Sequence, residues 1–147
     1  MFNRVLVVCT GNICRSPIAE VLMKELLPKL TVESAGIAVT KSHLTDAPAH
    51  PHSQQVCTEN NLDISAHTAR QLTPELCDSF DLILVMSHAH IEEVAMLSPG
   101  SRHKTMLFGQ WIGLGDIEDP ILEPKASFDT LYKTLVRATN AWAKKLS

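Results

Sequence analysis

The segment Arg4-Val-Leu-Val-Val-Cys9 does most to limit what this chain can fold into. From Val5 to Cys9 every residue is apolar, with no alternation, so neither face of a strand formed here can meet water. The run is short and rich in valine, which points to a strand buried on both sides. Such a strand needs cover from both directions, and the rest of the chain supplies helical patterns that provide it. Pro17–Leu27 reads as a helix with Val21, Leu22, Met23, Leu26 and Leu27 on its apolar side. Leu30–Glu33 reads as a second strand, stopped by Ser34-Ala35-Gly36. Ser53–Asn61 is the next helix. Thr73 and Pro74 suit the N-cap and first helical positions of a short helix through Cys77. Asp81–Met86 is a buried strand, and Ser87 caps a helix to about Leu97. Lys104–Phe108 is a fourth strand. Lys125–Leu146 places Phe128, Leu131, Leu135, Ala138 and Trp142 at helical spacing on a long amphipathic helix. Strand and helix alternate throughout, so the expected fold is α/β: a four-stranded parallel sheet with helices on both faces.

With 147 residues and 16.2 kDa, residues 1–147 are expected to form one domain. A net charge of −3 disfavours a nucleic-acid partner, which calls for a basic footprint. No apolar run approaches the ~18 residues of a membrane span, and Val5–Cys9 is too short for a signal-peptide core. A cytoplasmic location is therefore expected, with no membrane insertion. Cys9, Cys14, Cys57 and Cys77 are too few for a disulfide scaffold and include no CxxC pair. If they matter, they matter chemically. The histidine pairs His50-Pro-His52 and His88-Ala-His90 are poor metal signals and read as solvated side chains. No metal or cofactor is expected.

Ligands of parallel α/β sheets bind at the carboxyl ends of the strands. The turn at the end of the first strand reads Cys9-Thr-Gly-Asn-Ile-Cys-Arg15-Ser16-Pro17. Gly11 and Asn12 tolerate positive φ, so the loop can curl with its N–H groups turned inward as an anion nest. Ser16 and Pro17 suit the N-cap and first helical positions, which would aim a helix N-terminus at the same point. Arg15 offers a planar fork of donors for two phosphate oxygens. Cys9, among these positive partial charges, is favoured as the thiolate, the nucleophilic form. Cysteine, five residues, then arginine, between a strand and a helix, is a device for attacking phosphorus. Thr10, Gly11, Asn12, Ile13, Cys14, Arg15 and Ser16 are the expected phosphate-binding residues. A group leaving phosphorus needs a proton, and the Gly109–Pro124 loop offers Asp116, Glu118, Asp119 and Glu123. Asp119 precedes Pro120, which restrains its backbone.

The run Val8–Pro17 resembles the V-C-x-G-N-I-C-R-S-P signature of low-molecular-weight protein tyrosine phosphatases. The similarity extends through Ser34-Ala35-Gly36, His67-x-Ala69-Arg70, Asp81–Met86 and Asp119-Pro120, essentially the whole chain. It is most like the bacterial members associated with exopolysaccharide and capsule systems. The resemblance implies two-step hydrolysis of phosphotyrosine through a phosphocysteine on Cys9, with Arg15 binding phosphate and Asp119 as general acid and base. It implies that Asn12, Ser16, Ser34 and His67 brace the loop. It also implies that Cys14 caps Cys9 reversibly under oxidation. Ile13 matches a pocket-lining position at which phosphoarginine-directed relatives carry threonine, so isoleucine favours tyrosine. Two aromatic positions of the family are absent here. Gly36–Asp46 offers only Ile37, Val39, His43 and Leu44, and Ile121 follows Asp119-Pro120, so aliphatic pocket walls are expected. The implied partner is a tyrosine-phosphorylated protein, a bacterial tyrosine kinase or another protein of polysaccharide export, met by a monomer. The alternatives are a thioredoxin-coupled arsenate reductase, which needs two further redox cysteines, a cysteine phosphocarrier, and an inactive phosphate-binding module.

Overall fold

β1 (Arg4–Cys9) occupies an inner position in a sheet of four parallel strands. β2 (Thr31–Gly36) flanks it on one side and β3 (Leu82–Val85) on the other, with β4 (Thr105–Leu107) beyond β3, giving the order β2-β1-β3-β4. The structure, a computed structural model, describes residues 2–147. Five α-helices connect and cover the strands: α1 (Arg15–Leu26), α2 (Pro51–Glu59), α3 (Pro74–Asp78), α4 (His88–Leu97) and α5 (Lys125–Leu146). Single 3-10 turns lie at Pro99–Lys104 and Gln110–Ile112. Among the described residues no helix is long and apolar enough to cross a membrane.

The period of two along β1 divides the core. Val5, Val7 and Cys9 face a cluster built from Ile18, Leu22 and Met23 of α1, Val56 of α2 and Leu131, Leu135 and Trp142 of α5. Leu6 and Val8 face the opposite cluster, with Cys77 of α3, Val94 of α4, Leu72 and Phe80. That is why β1 is apolar at every position from Val5 to Cys9. The Asp81 carboxylate accepts the Asn3 and Arg4 N–H groups at 2.8 and 2.9 Å, tying the entrance of β1 to that of β3.

Three of the element boundaries that differ from the sequence expectation bear on the site. β2 does not stop at Glu33: Ser34, Ala35 and Gly36 continue it, paired with Val7, Val8 and Cys9. Small residues are required there because the Cys9 loop folds over the strand end. A Cβ on Gly36 would lie 2.8 Å from the Thr10 carbonyl oxygen and 3.0 Å from Asn12 Cβ. α1 begins at Arg15 with Cys14 as its N-cap, so Ser16 and Pro17 lie inside its first turn. α2 begins at Pro51 because His50 Nδ1 accepts the His52 N–H at 3.0 Å and acts as the cap.

β1 is the strand at which the sheet changes its direction of winding. The crevice above its carboxyl end is closed by the loop after β1, the β3–α4 turn, and the long loop after β4.

Candidate active site

The Cys9–Arg15 loop is held from outside by its carbonyl oxygens. Cys9 O accepts from Ile37 N at 3.0 Å, Thr10 O from Ala38 N at 2.9 Å, and Ile13 O from His50 N at 2.8 Å. Asn12 O accepts from His67 Nε2 at 2.6 Å and Cys14 O from Ser53 Oγ at 3.0 Å. With these carbonyls turned outward, planar peptides direct the intervening N–H groups toward the loop centre. Asn12 makes the curl, in the left-handed region at φ 58. Gly11 does not share that role: among the described residues Gly113 is the glycine with positive φ. Gly11 instead gives room to Leu44, whose Cδ1 would lie 3.0 Å from an added Cβ.

Asn12 is fully buried, and its amide is saturated. Oδ1 accepts the Arg70 N–H at 3.0 Å, which fixes Nδ2 as the donor end. Nδ2 donates to Ser16 Oγ at 2.8 Å and to Ser34 Oγ at 3.0 Å. Ser34 Oγ in turn donates to Glu20 Oε1 at 2.5 Å. Ser16 Oγ sits 3.0 Å from Cys9 Sγ. A thiolate carries no proton, so against that form Ser16 is the donor. The expected bracing set of Asn12, Ser16, Ser34 and His67 is thus brought together around the loop.

Arg15 is 4% exposed. One terminal nitrogen donates to the Ile117 carbonyl at 2.8 Å; the other donates to Thr10 Oγ1 at 3.1 Å and lies 3.4 Å from Asp119 Oδ2. Its Nε is buried with no hydrogen-bond partner. A buried unpaired donor on a cation is costly, and an anion in the loop would satisfy it. Asp119 is exposed at the crevice mouth, and its Oδ1 accepts the Ile121 N–H at 3.2 Å. Asp116, another expected candidate, points elsewhere: its carboxylate accepts the His88 N–H at 2.9 Å. Glu118 and Glu123 are exposed and Asp119 is the carboxylate paired with Arg15. The loop is anchored midway, because buried Ile117 donates its N–H to Met86 O at 2.8 Å.

Cys14 is buried beside this machinery, and its thiol is pushed far above the ordinary range by burial, then by the charges of Asp119 and Cys9. It stays protonated. Burial also raises Cys57, to about 12, and Cys77. Cys57 lies in the core on the α1–α5 face and Cys77 on the α3–α4 face, with the sheet between them. The apolar wall by the loop is formed by Ile13, Leu44 and Val39 over Phe128, and His50 stacks on Phe128 at 4.7 Å. Ile37 belongs to the other face of the sheet, and His43 is exposed.

Four contributors were not legible beforehand. Glu20 accepts the Ser34 hydroxyl one helical turn beyond Ser16. Arg70 orients Asn12, with its guanidinium held by Glu33 Oε1 at 2.5 Å. The Ile117 carbonyl seats Arg15. His90, expected to be solvated, is 5% exposed and contacts Thr10. Only Arg70 lies in a quoted motif; the others signal nothing until the fold brings them near.

Comparison with known proteins agrees with this geometry. Residues 4–147 match the family model described as low molecular weight phosphotyrosine protein phosphatase. The chain is 44% identical over 146 residues to the low molecular weight protein-tyrosine-phosphatase Etp of Escherichia coli K12, covering 99% of this chain and 96% of that one. It is 42% identical to Wzb of the same organism, covering 100% and 97%. The solved structure of Vibrio vulnificus Wzb in complex with benzylphosphonate superposes with a TM-score of 0.97 at 49% identity, covering 99% of this chain and all 100% of that one. Sequence, fold and loop geometry agree, and the chain is a protein-tyrosine-phosphatase belonging to the low molecular weight phosphotyrosine protein phosphatase family.

Proposed function

We propose that this phosphatase hydrolyses phosphotyrosine through a phosphocysteine on Cys9. The observation that carries the reading is the Arg15 guanidinium, buried with Nε unpaired and lying between the Cys9 loop and Asp119. The Cys9 thiolate attacks phosphorus in line, opposite the tyrosyl oxygen. The inward N–H groups and Arg15 hold the equatorial oxygens as charge redistributes. As the P–O bond breaks, the Asp119 carboxylic acid gives its proton to the departing phenoxide. The resulting carboxylate then takes a proton from water, whose oxygen attacks phosphorus and releases inorganic phosphate and the Cys9 thiolate. Ser16, donating to sulfur, stabilises that leaving thiolate, and Asn12, Ser34 and His67 keep the loop curled. No metal or cofactor enters this scheme.

The substrate side chain lies against Ile13 and Leu44, an aliphatic wall suited to a flat ring. Benzylphosphonate, the ligand in the Vibrio vulnificus relative, pairs the same two chemistries, a ring and a tetrahedral phosphorus group. Arsenate reduction by a thiol relay is disfavoured by Cys57 and Cys77 lying on opposite faces of the sheet. Stable storage on a phosphocysteine is disfavoured by Asp119 beside the loop, poised to activate water. The physiological partner we infer is a tyrosine-phosphorylated bacterial kinase or other protein of polysaccharide export, met in the cytoplasm.

The test is hydrolysis of an aryl phosphate with orthovanadate as inhibitor. Wild type should turn over and be inhibited, and Cys9→Ser should be inactive. Asp119→Asn should lose about 10²–10⁴-fold in turnover while still binding vanadate. Absence of vanadate-sensitive hydrolysis in the wild type would overturn the reading. For the partner, Cys9→Ser used as bait should retain a phosphotyrosine kinase of the export system; retention of unrelated phosphoproteins alone would remove that assignment.

A further inference from the structure

His90 lies on α4, outside the Cys9 loop, yet its ring spans from the sheet to that loop. Ser87 Oγ caps α4 by accepting the His90 N–H at 3.2 Å, which fixes the backbone of the residue. His90 Nδ1 accepts the Met86 N–H at 3.3 Å, and Nε2 lies 3.0 Å from Thr10 Oγ1. A main-chain N–H donates only, so Nδ1 holds a lone pair and the ring proton sits on Nε2. Nε2–H therefore donates to Thr10 Oγ1. The same oxygen accepts from Arg15 at 3.1 Å. Both lone pairs of the Thr10 hydroxyl are then committed, one to a neutral ring and one to the guanidinium. The direction of each bond follows from a backbone donor that cannot reverse.

Without the imidazole, Thr10 has one fixed partner, and its side chain is free to change rotamer. The guanidinium then keeps Ile117 and Asp119 on one edge but loses the anchor that fixes its plane. We propose that His90 is a positioning residue which, through Thr10, sets the plane of the Arg15 guanidinium so that its unpaired Nε faces the phosphate. The ring suits this role by staying neutral. Burial, then the charge of Arg15, hold it well below the ordinary histidine range, at about 4, against the opposite pull of Asp116 and Asp119. A protonated ring would set Nδ1–H against the Met86 N–H and add a second cation beside Arg15.

This inference rests on Arg15 as the phosphate-holding residue. The test is competitive inhibition of aryl phosphate hydrolysis by inorganic phosphate and by orthovanadate, across His90→Leu, Thr10→Val, the double variant and His90→Gln. His90→Leu and Thr10→Val should each weaken both inhibitors about three- to tenfold, the worth of one net hydrogen bond. The double variant should lose no more than Thr10→Val alone, because both act by one route. His90→Gln keeps an N–H donor and should recover most of the affinity. Wild-type affinity in Thr10→Val or His90→Leu, or losses that multiply in the double variant, would overturn the proposal. If His90→Leu is too unstable to assay, Thr10→Val and His90→Gln decide alone: wild-type affinity in Thr10→Val, or a full loss in His90→Gln, overturns it. A wild type that neither inhibitor affects would instead refute the role given to Arg15.

Discussion

Cys9 and Cys14 share one short loop, yet their surroundings separate their chemistry. Ser16 Oγ lies 3.0 Å from the Cys9 sulfur, placed to donate to a thiolate, whereas Cys14 faces burial and two neighbouring negative charges that keep its proton on. Peroxide is expected to convert the Cys9 thiolate to a sulfenic acid. With the Cys9 charge gone, the Cys14 sulfur would then attack the sulfenic sulfur while its proton leaves with the hydroxyl as water, forming a disulfide that thiols reverse. The prediction is that Cys14→Ser, treated with peroxide and then dithiothreitol, recovers much less activity than wild type; equal recovery refutes the protective role. The gathering of Cys9, Arg15 and Asp119 at one crevice was readable in advance. Cys9, Arg15 and Asp119 announce themselves through thiol, fork and carboxylate at fixed places around strand ends. Glu20 and His90 were not, because each acquires its role from a partner that only the fold supplies, Ser34 for one and Thr10 for the other.

At the scale of elements, β1 was readable because burial on both faces leaves an unambiguous apolar run. The end of β2 was not. Ser34-Ala35-Gly36 looks like a turn, since small residues usually mark one. Here they are small because the Cys9 loop lies across the strand. The Ser34 hydroxyl oxygen accepts from Asn12 Nδ2 and Gly36 gives the space that Thr10 and Asn12 occupy. Gly36→Ala is therefore expected to push the loop outward, with an overpacking cost of about 1–3 kcal/mol. Activity should fall more than stability, because the loop moves and the sheet does not. A variant with wild-type kcat/KM and wild-type Tm would show that the close approach is not required. The start of α1 was misplaced for a related reason. Ser16 has the chemistry of a cap, but Asn12 and the Cys9 sulfur take its hydroxyl, so the helix begins before it.

Over the whole molecule, the neutral His90 links the site to acid stability. Its value in the folded chain is about 4 against an ordinary 6.5, so between these values the unfolded chain binds the extra proton. A group depressed in this way contributes its full stability above 6.5 and loses it as pH falls toward 4. The contribution is of the order of 3 kcal/mol at neutral pH. His50, also lowered by burial and by His52, acts in the same direction. The Asp81 and Asp116 carboxylates, held low by hydrogen bonds to backbone N–H groups, lose theirs only in more acid solution. The urea midpoint should therefore fall between pH 6.5 and 4, and His90→Gln should flatten much of that slope; an unchanged slope in the variant counts against it. The anchoring of Ile117 has a different kind of consequence. Its N–H is fixed to Met86 of the sheet and its carbonyl to Arg15, and Asp119 follows two residues later. The reach from the Arg15 anchor to the Asp119 backbone is thus limited by a stretch of main chain at most about 7 Å long. Under the proposed mechanism this tether of covalent bonds, the least adjustable material the chain has, limits how far the acid can stray from the clamp whatever the flanking side chains do.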